Sequence, residues 1–494
     1  MSRRIPIFYS AILLTFVNLL LRFGGTAFQV YLSRRIGAAG IGLVQLVMSV
    51  GGLALVAGMA GIRTATMYLS AEELGRKRPG NLAWVLSGSI LYSICCSGII
   101  AAILYFAAPQ IAQRWIGDIR TVSSLRLFAC FLPVSCLSGV MTGYFTAANR
   151  IGTLAAVEVA EQLLSICATI ALLTFWAGQD PAKACQAVIL GSGLGGCLTL
   201  VCLILLRLLE ISPEEPPIPM WHRLKNAAVP LAIADVVKSG INTTENLMVP
   251  KQLSRNPHIG NPLAAFGLVT GMVFPVMMFP ACILFGLAEL LIPELARCAA
   301  ANSKTRISYL TRRSLRVAML YGLLFGGLCF LLAEDLCLKL YRNQEAGKYL
   351  RLYALLIPML YCDAITDAMT KGLGQQKMCV RYNILTSAMD VVFLYLLLPR
   401  YGMDGYFFSF LVTHLLNFLL SLRRLMKITG EKLSICVPLA AAAGTASAVW
   451  ICCFVPSPFW RTLCYPTVLC CLLYFAKVLD REDAAWILGL IRRK

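Results

Sequence analysis

Leu125-Arg126-Leu127-Phe128-Ala129, followed by Pro133, returns 225 residues later as Leu350-Arg351-Leu352-Tyr353-Ala354, followed by Pro358. At the same offset, Gly42-Leu43-Val44 returns as Gly267-Leu268-Val269, and Gly61 as Gly286. A register kept across both blocks without insertion implies that one structural unit has been duplicated. Composition says what kind of unit. Of 494 residues, 59% are hydrophobic and 14% charged, more apolar surface than a soluble chain of this size can hide from water. Apolar runs of about 20 residues, enough to cross a hydrocarbon core of roughly 30 Å, recur along the whole length. The expected fold class is an all-α polytopic membrane protein. Duplicated helical bundles are a common plan of secondary transporters, so transport leads over catalysis.

Runs bounded by glycine, proline and charge place fourteen spans near 7–32, 41–70, 81–108, 123–147, 152–177, 183–209, 223–250, 262–298, 307–333, 347–372, 381–399, 404–427, 432–455 and 457–478, here helices 1 to 14. The first is too long for a signal-peptide core and reads as retained. Six helices separate equivalent elements, so the two copies run parallel. The expected domains are a six-helix bundle at 1–211, a cytoplasmic linker at 212–222, a second bundle at 223–430, an added helix pair at 431–479 and a cytoplasmic tail at 480–494. Arg3-Arg4, Arg76-Lys77-Arg78, Arg223 with Lys225, Lys304 through Arg316, Lys377 with Arg381, and Arg423-Arg424 fall in alternate loops. That pattern puts both termini in the cytoplasm.

The net charge of +20 would point to nucleic acid in a soluble protein. Here the basic residues sit in short loops, and the expected partner is the phospholipid bilayer, with no nucleic acid. The 20 cysteines lie largely within apolar runs, where cysteine acts as a small hydrophobe. His222, His258 and His414 are scattered, so neither a zinc site nor a disulfide framework is expected. No cofactor is implied.

Ionisable groups inside spans each need a partner or a wet cavity. Helix 1 carries Asn18, Arg22 and Gln29 on one face, and Arg63 lies on helix 2. Helix 7 carries Asp235, Lys238, Asn242 and Glu245, a stripe of three turns. Helix 10 has Asp363, Asp367 and Lys371, helix 11 has Thr386 and Asp390, and helix 5 has Glu158 and Glu161. Asp235–Lys238 and Asp367–Lys371 can equally be read as internal salt bridges, and Glu158 and Glu161 as caps of a cytoplasmic mouth. Arginines in a lumen suit an anionic head group such as a pyrophosphate. Buried carboxylates suit a coupling cation, Na+ or H+.

Two segments carry a resemblance. Leu21-Arg22-Phe23-Gly24-Gly25, and Tyr31-Leu32-Ser33-Arg34-Arg35-Ile36-Gly37-Ala38-Ala39-Gly40-Ile41-Gly42-Leu43, resemble the helix 1–2 region of the stage V sporulation protein B group. With the 6+6+2 plan, the chain is similar throughout to the multidrug/oligosaccharidyl-lipid/polysaccharide exporter superfamily, which includes the lipid II flippases. The resemblance implies two bundles around a central cavity and a lipid-linked saccharide as cargo. It implies that Arg22, and Arg63 as the nearest candidate on helix 2, meet the pyrophosphate. Gln29 stands where a basic residue is common. It also implies a cation site near Asp235 and Asp390, with Thr386 where an amide side chain is found, and a groove for the lipid tail at 432–478.

The resulting expectation is a flippase of a bacterial plasma membrane, not an enzyme. It would move a polyprenyl-linked pyrophosphate saccharide, such as a peptidoglycan or polysaccharide precursor, by alternating access. The substrate-binding candidates are Arg22, Gln29, Arg63, Lys238, Asn242 and Glu245, and the cation-coupling candidates are Asp235, Thr386 and Asp390. A cation-coupled multidrug exporter of the same superfamily is the alternative; it would depend on acidic rather than arginine residues. A membrane glycosyltransferase or polymerase would need a large loop with clustered carboxylates or histidines, and the loops are short.

Overall fold

The computed structural model describes residues 7–75, 81–148, 150–178, 180–208, 220–431, 436–476 and 478. The basic clusters at 3–4 and 76–78, linker residues 212–219 and the tail lie outside them. All regular structure among the described residues is helical. Seven helices are long and apolar enough to cross a membrane, and nine if each of two bent pairs counts as one span. Two of the seven are double length. Leu19–Leu74 covers 56 residues and Gln376–Thr429 covers 54. At 1.5 Å per residue each is far longer than one crossing of roughly 30 Å. Helices 1 and 2 run together as Ile7–Met59 across Gly37, with φ 71 and ψ 178, and helices 11 and 12 join across Gly402, with φ 59 and ψ −132. Polar helix 7 (Met220–Leu253) and the shorter helices 13 (Cys436–Cys453) and 14 (Pro458–Phe475) complete the fourteen.

The duplication is visible in repeated local chemistry. Arg126 lies over the ring of Tyr105 at 5.3 Å, and Arg351 over the ring of Phe330 at 5.6 Å, both partners shifted by 225. The turns between helices 3 and 4 and between helices 9 and 10 share a left-handed closing residue and a following side-chain cap. Gly117 (φ 80) and Arg342 (φ 54) each close a helix in the left-handed conformation. Asp118 and Asn343 then cap the next helix, accepting from the backbone nitrogens of Arg120 at 3.0 Å and Ala346 at 3.1 Å. The Arg120 guanidinium also holds the Asp118 carboxyl below its usual range. An arginine in the left-handed region costs roughly 1 kcal/mol that glycine avoids. Arg342→Gly is therefore expected to raise stability by about 1 kcal/mol and Gly117→Ala to lower it similarly, read as opposite shifts of the thermal midpoint in detergent.

The chain divides into two compact units, Met1–Gly271 with Val391–Tyr406, and Met272–Asp390 with Phe407–Lys494. Compactness thus divides the chain elsewhere than the repeat does: helix 7, the opening helix of the second copy, lies in the first unit. There Thr243 donates to the Ser49 carbonyl at 3.0 Å, and Asn246 to the Ser49 hydroxyl at 3.0 Å. Within the same unit the two copies of the repeat also cross. A methyl group on Gly42 would strike the carbonyl oxygen of Leu263, and one on Gly267 that of Ala38. Leu263 is the repeat counterpart of Ala38, so these are two copies of one contact, as a local two-fold axis between the glycines requires. In the second unit the added pair seats on helix 9: Leu323 and Leu331 are buried with Ala441, Ala448, Leu469 and Leu473. Tyr465 donates there to the Leu323 carbonyl at 2.9 Å.

Candidate functional site

In the first unit Arg22 is exposed on helix 1 and Arg63 on helix 2. Helix 1 is fastened beside Arg22 by helix 5, whose Gln162 amide donates to the Leu21 carbonyl at 2.7 Å. Arg63 owes its position to a break. Ala60 and Gly61 take φ of 42 and 71, and the helix restarts at Ile62–Gly75. Arg63 therefore projects from a helix N-terminus, where free backbone N–H groups also favour negative charge. Gly143 of helix 4 admits the Arg63 backbone so closely that a methyl there would lie 2.5 Å from its carbonyl oxygen. Glu158 lies on helix 5. Glu161, one turn further, accepts from Thr199 at 2.5 Å.

Gln29 is turned toward helix 8. Its amide donates to the Gly271 carbonyl at 3.3 Å, and Ser33 reaches the same oxygen at 3.5 Å. Gly271 lies in a π-helical turn, Val269–Val273, whose altered hydrogen-bond pattern presents the carbonyl sideways. On helix 7, Leu224, Ala228, Thr243 and Val249 are buried, whereas Asp235, Lys238 and Asn242 are exposed and Glu245 half-buried. The polar stripe is thus the face that packing does not use. Among the described residues Asp235 and Lys238 form no ion pair with each other, while Asp367 and Lys371 do, at 2.5 Å.

In the second unit Asp390 accepts from Ser409 at 2.5 Å and from Thr413 at 3.3 Å, both on helix 12. Thr386 bonds back to its own helix, to the carbonyls of Tyr382 at 3.0 Å and Asn383 at 3.2 Å. Asp363 accepts from Asn417 at 3.2 Å, again on helix 12. Ser409, Thr413 and Asn417 were not among the sequence candidates. Their signal is the four-residue spacing that continues to Ser421, all four buried. Hydroxyl and amide groups in an apolar helix satisfy themselves so readily against the preceding turn that this spacing attracts little notice. Asp235 belongs to the first unit, and Thr386 and Asp390 to the second.

A duplicated helical bundle crossing a membrane, with charged faces that packing leaves unused, is a plan that many transporters share. The chain belongs to the MatE family, whose model matches residues 14–176 and 253–396, once in each copy of the repeat. It is a multi-span membrane protein of the multidrug/oligosaccharidyl-lipid/polysaccharide transporter superfamily. It is 20% identical over 413 residues to stage V sporulation protein B of Bacillus subtilis (strain 168), covering 79% of this chain and 77% of that protein. Its fold is similar to the lipid II flippase MurJ in an inward closed conformation, with TM-score 0.70 and 13% identity over 97% of this chain and all of that one. It is also similar to an inward-facing multidrug resistance transporter, with TM-score 0.65 and 13% identity over 85% of this chain and all of that one.

Proposed function

We propose that this protein is a flippase that carries a polyprenyl-linked pyrophosphate saccharide across a bacterial plasma membrane by alternating access, with both termini in the cytoplasm. The observation that carries the reading is the pair of arginines exposed on helices 1 and 2, Arg22 and Arg63. A pyrophosphate leaving water needs charge-assisted donors, and guanidinium groups supply them in forked pairs. Lys238, Asn242 and Glu245 would contact the saccharide, and Gln29 would hold helix 1 to helix 8 rather than bind the anion. Asp390, with the oxygens of Ser409 and Thr413, offers the all-oxygen donor set that suits Na+ or a carried proton, and Asp235 and Thr386 stay candidates for the same role.

The test is flipping of defined polyprenyl-pyrophosphate saccharides in reconstituted vesicles. Arg22→Ala and Arg63→Ala are each expected to slow it about 10- to 100-fold, the worth of a lost charge-assisted hydrogen bond. Wild-type flipping by both variants overturns the assignment. The second reading is a cation-coupled multidrug exporter, favoured by the family match and the exposed Asp235. It predicts export of cationic drugs that survives both arginine changes and fails in Asp235→Asn.

A further inference from the structure

Helix 7 meets helices 2 and 3 along the half that follows the linker, in a contact part apolar and part ionic. Leu224 and Ala228 are fully buried among Ile62, Leu69, Leu82 and Leu86. Gly61 lets the helices approach so closely that a methyl group there would lie 2.9 Å from the Ala232 nitrogen. At the edge of this strip Arg223 forks across two neighbouring carboxylates. Its Nη2 donates to Glu72 at 2.7 Å and its Nη1 to Glu73 at 2.8 Å. Glu73 is only 1% exposed and also accepts from Asn81 at 2.9 Å. The buried Asn81 Oδ1 meets no donor among the described residues.

An apolar side chain at 223 would hold helix 7 here at no desolvation cost. The fork is half-buried, with Arg223 30% and Glu72 25% exposed and Glu73 1%, so it gives direction while lost hydration of Glu73 offsets part of its attraction. Seven residues beyond Arg223, Pro230 stands inside helix 7 and removes one backbone donor from its hydrogen-bond ladder.

We propose that Arg223, forked across Glu72 and Glu73, is a releasable latch holding the linker end of helix 7 on helices 2 and 3, and that this end opens about Pro230 when the latch lets go. The latch concerns the motion and holds for either cargo considered above. Hydrogen–deuterium exchange on the full-length protein in nanodiscs tests it without any cargo. Arg223→Gln is expected to speed exchange over 220–232 at least about tenfold, the worth of one charge-assisted hydrogen bond. Arg223→Lys, which keeps the charge and loses the fork, should fall between variant and wild type. Helices 4 to 6 should exchange as in the wild type. The proposal is overturned if 220–232 exchanges no faster in either variant, or if the loosening spreads equally through helices 4 to 6.

Discussion

Gly267→Ala is expected to destabilise the protein by roughly 3 kcal/mol or more, the upper range for forcing atoms into a filled interior. The added methyl would meet the Ala38 carbonyl and lie 2.5 Å from the Gly42 nitrogen. Both are backbone atoms, which cannot move aside as a side-chain tip can. Gly42→Ala is the same experiment from the other copy, against the Leu263 carbonyl. Because both changes push apart one crossing, the double variant should lose less than the sum of the two. Gly52 serves as the control. It lies on the same long helix, and a methyl there would meet nothing within 4 Å. Gly52→Ala should be neutral or up to about 1 kcal/mol more stable through helix propensity. Thermal unfolding of the purified proteins decides; a Gly267→Ala midpoint equal to wild type would refute the reciprocal crossing.

Asp390→Asn is expected to abolish the dependence of transport on an ion gradient while leaving the protein folded. The amide keeps the carboxylate's size and an oxygen to accept from Ser409 and Thr413. Thr413 has a second acceptor in the Ser409 carbonyl at 2.8 Å. Only the charge is lost. At about 4 Å and an effective dielectric near 20, one unit of charge is worth roughly 4 kcal/mol to a bound cation, so affinity should fall at least about 100-fold. Asp367→Asn is the comparison, because that carboxylate is already neutralised by Lys371 and its loss should leave gradient dependence in place. Transport rates with and without a Na+ or proton gradient separate the two. Unchanged gradient dependence in Asp390→Asn would remove Asp390 from the coupling role.

Much of the frame was legible in the residues because hydrophobic length and register are one-dimensional signals. The offset that joins Leu125 to Leu350 also joins Tyr105 to Phe330 and Gly117 to Arg342, pairs that reveal their kinship only through shared geometry. Where the copies diverge, the structure gives a physical reason. The counterpart of Arg22 is Leu247, which packs against a hydrophobic core. The counterpart of Asp390 is Ser165, at a close contact with Gly195 of helix 6. Charge was placed in one copy where the other uses the position for packing.

By itself, the chain's order of residues determined the membrane class, the duplication, the fourteen spans and the stripes of charge within them. Each follows from local periodicity, and lipid enforces that periodicity because every backbone polar group must be satisfied within its own helix. Partnership was decided only in three dimensions. Both Asp235–Lys238, three residues apart, and Asp367–Lys371, four apart, could close by spacing alone, yet among the described residues only the second does. Nor does spacing reveal that Asp390 takes its partners from helix 12 while Thr386 turns back on its own helix. Helix 7 opens the second copy by sequence yet binds to the first through Ser49, Glu72 and Glu73. Such contacts depend on which faces meet across loops, and residues far apart in the chain become neighbours only when the helices assemble.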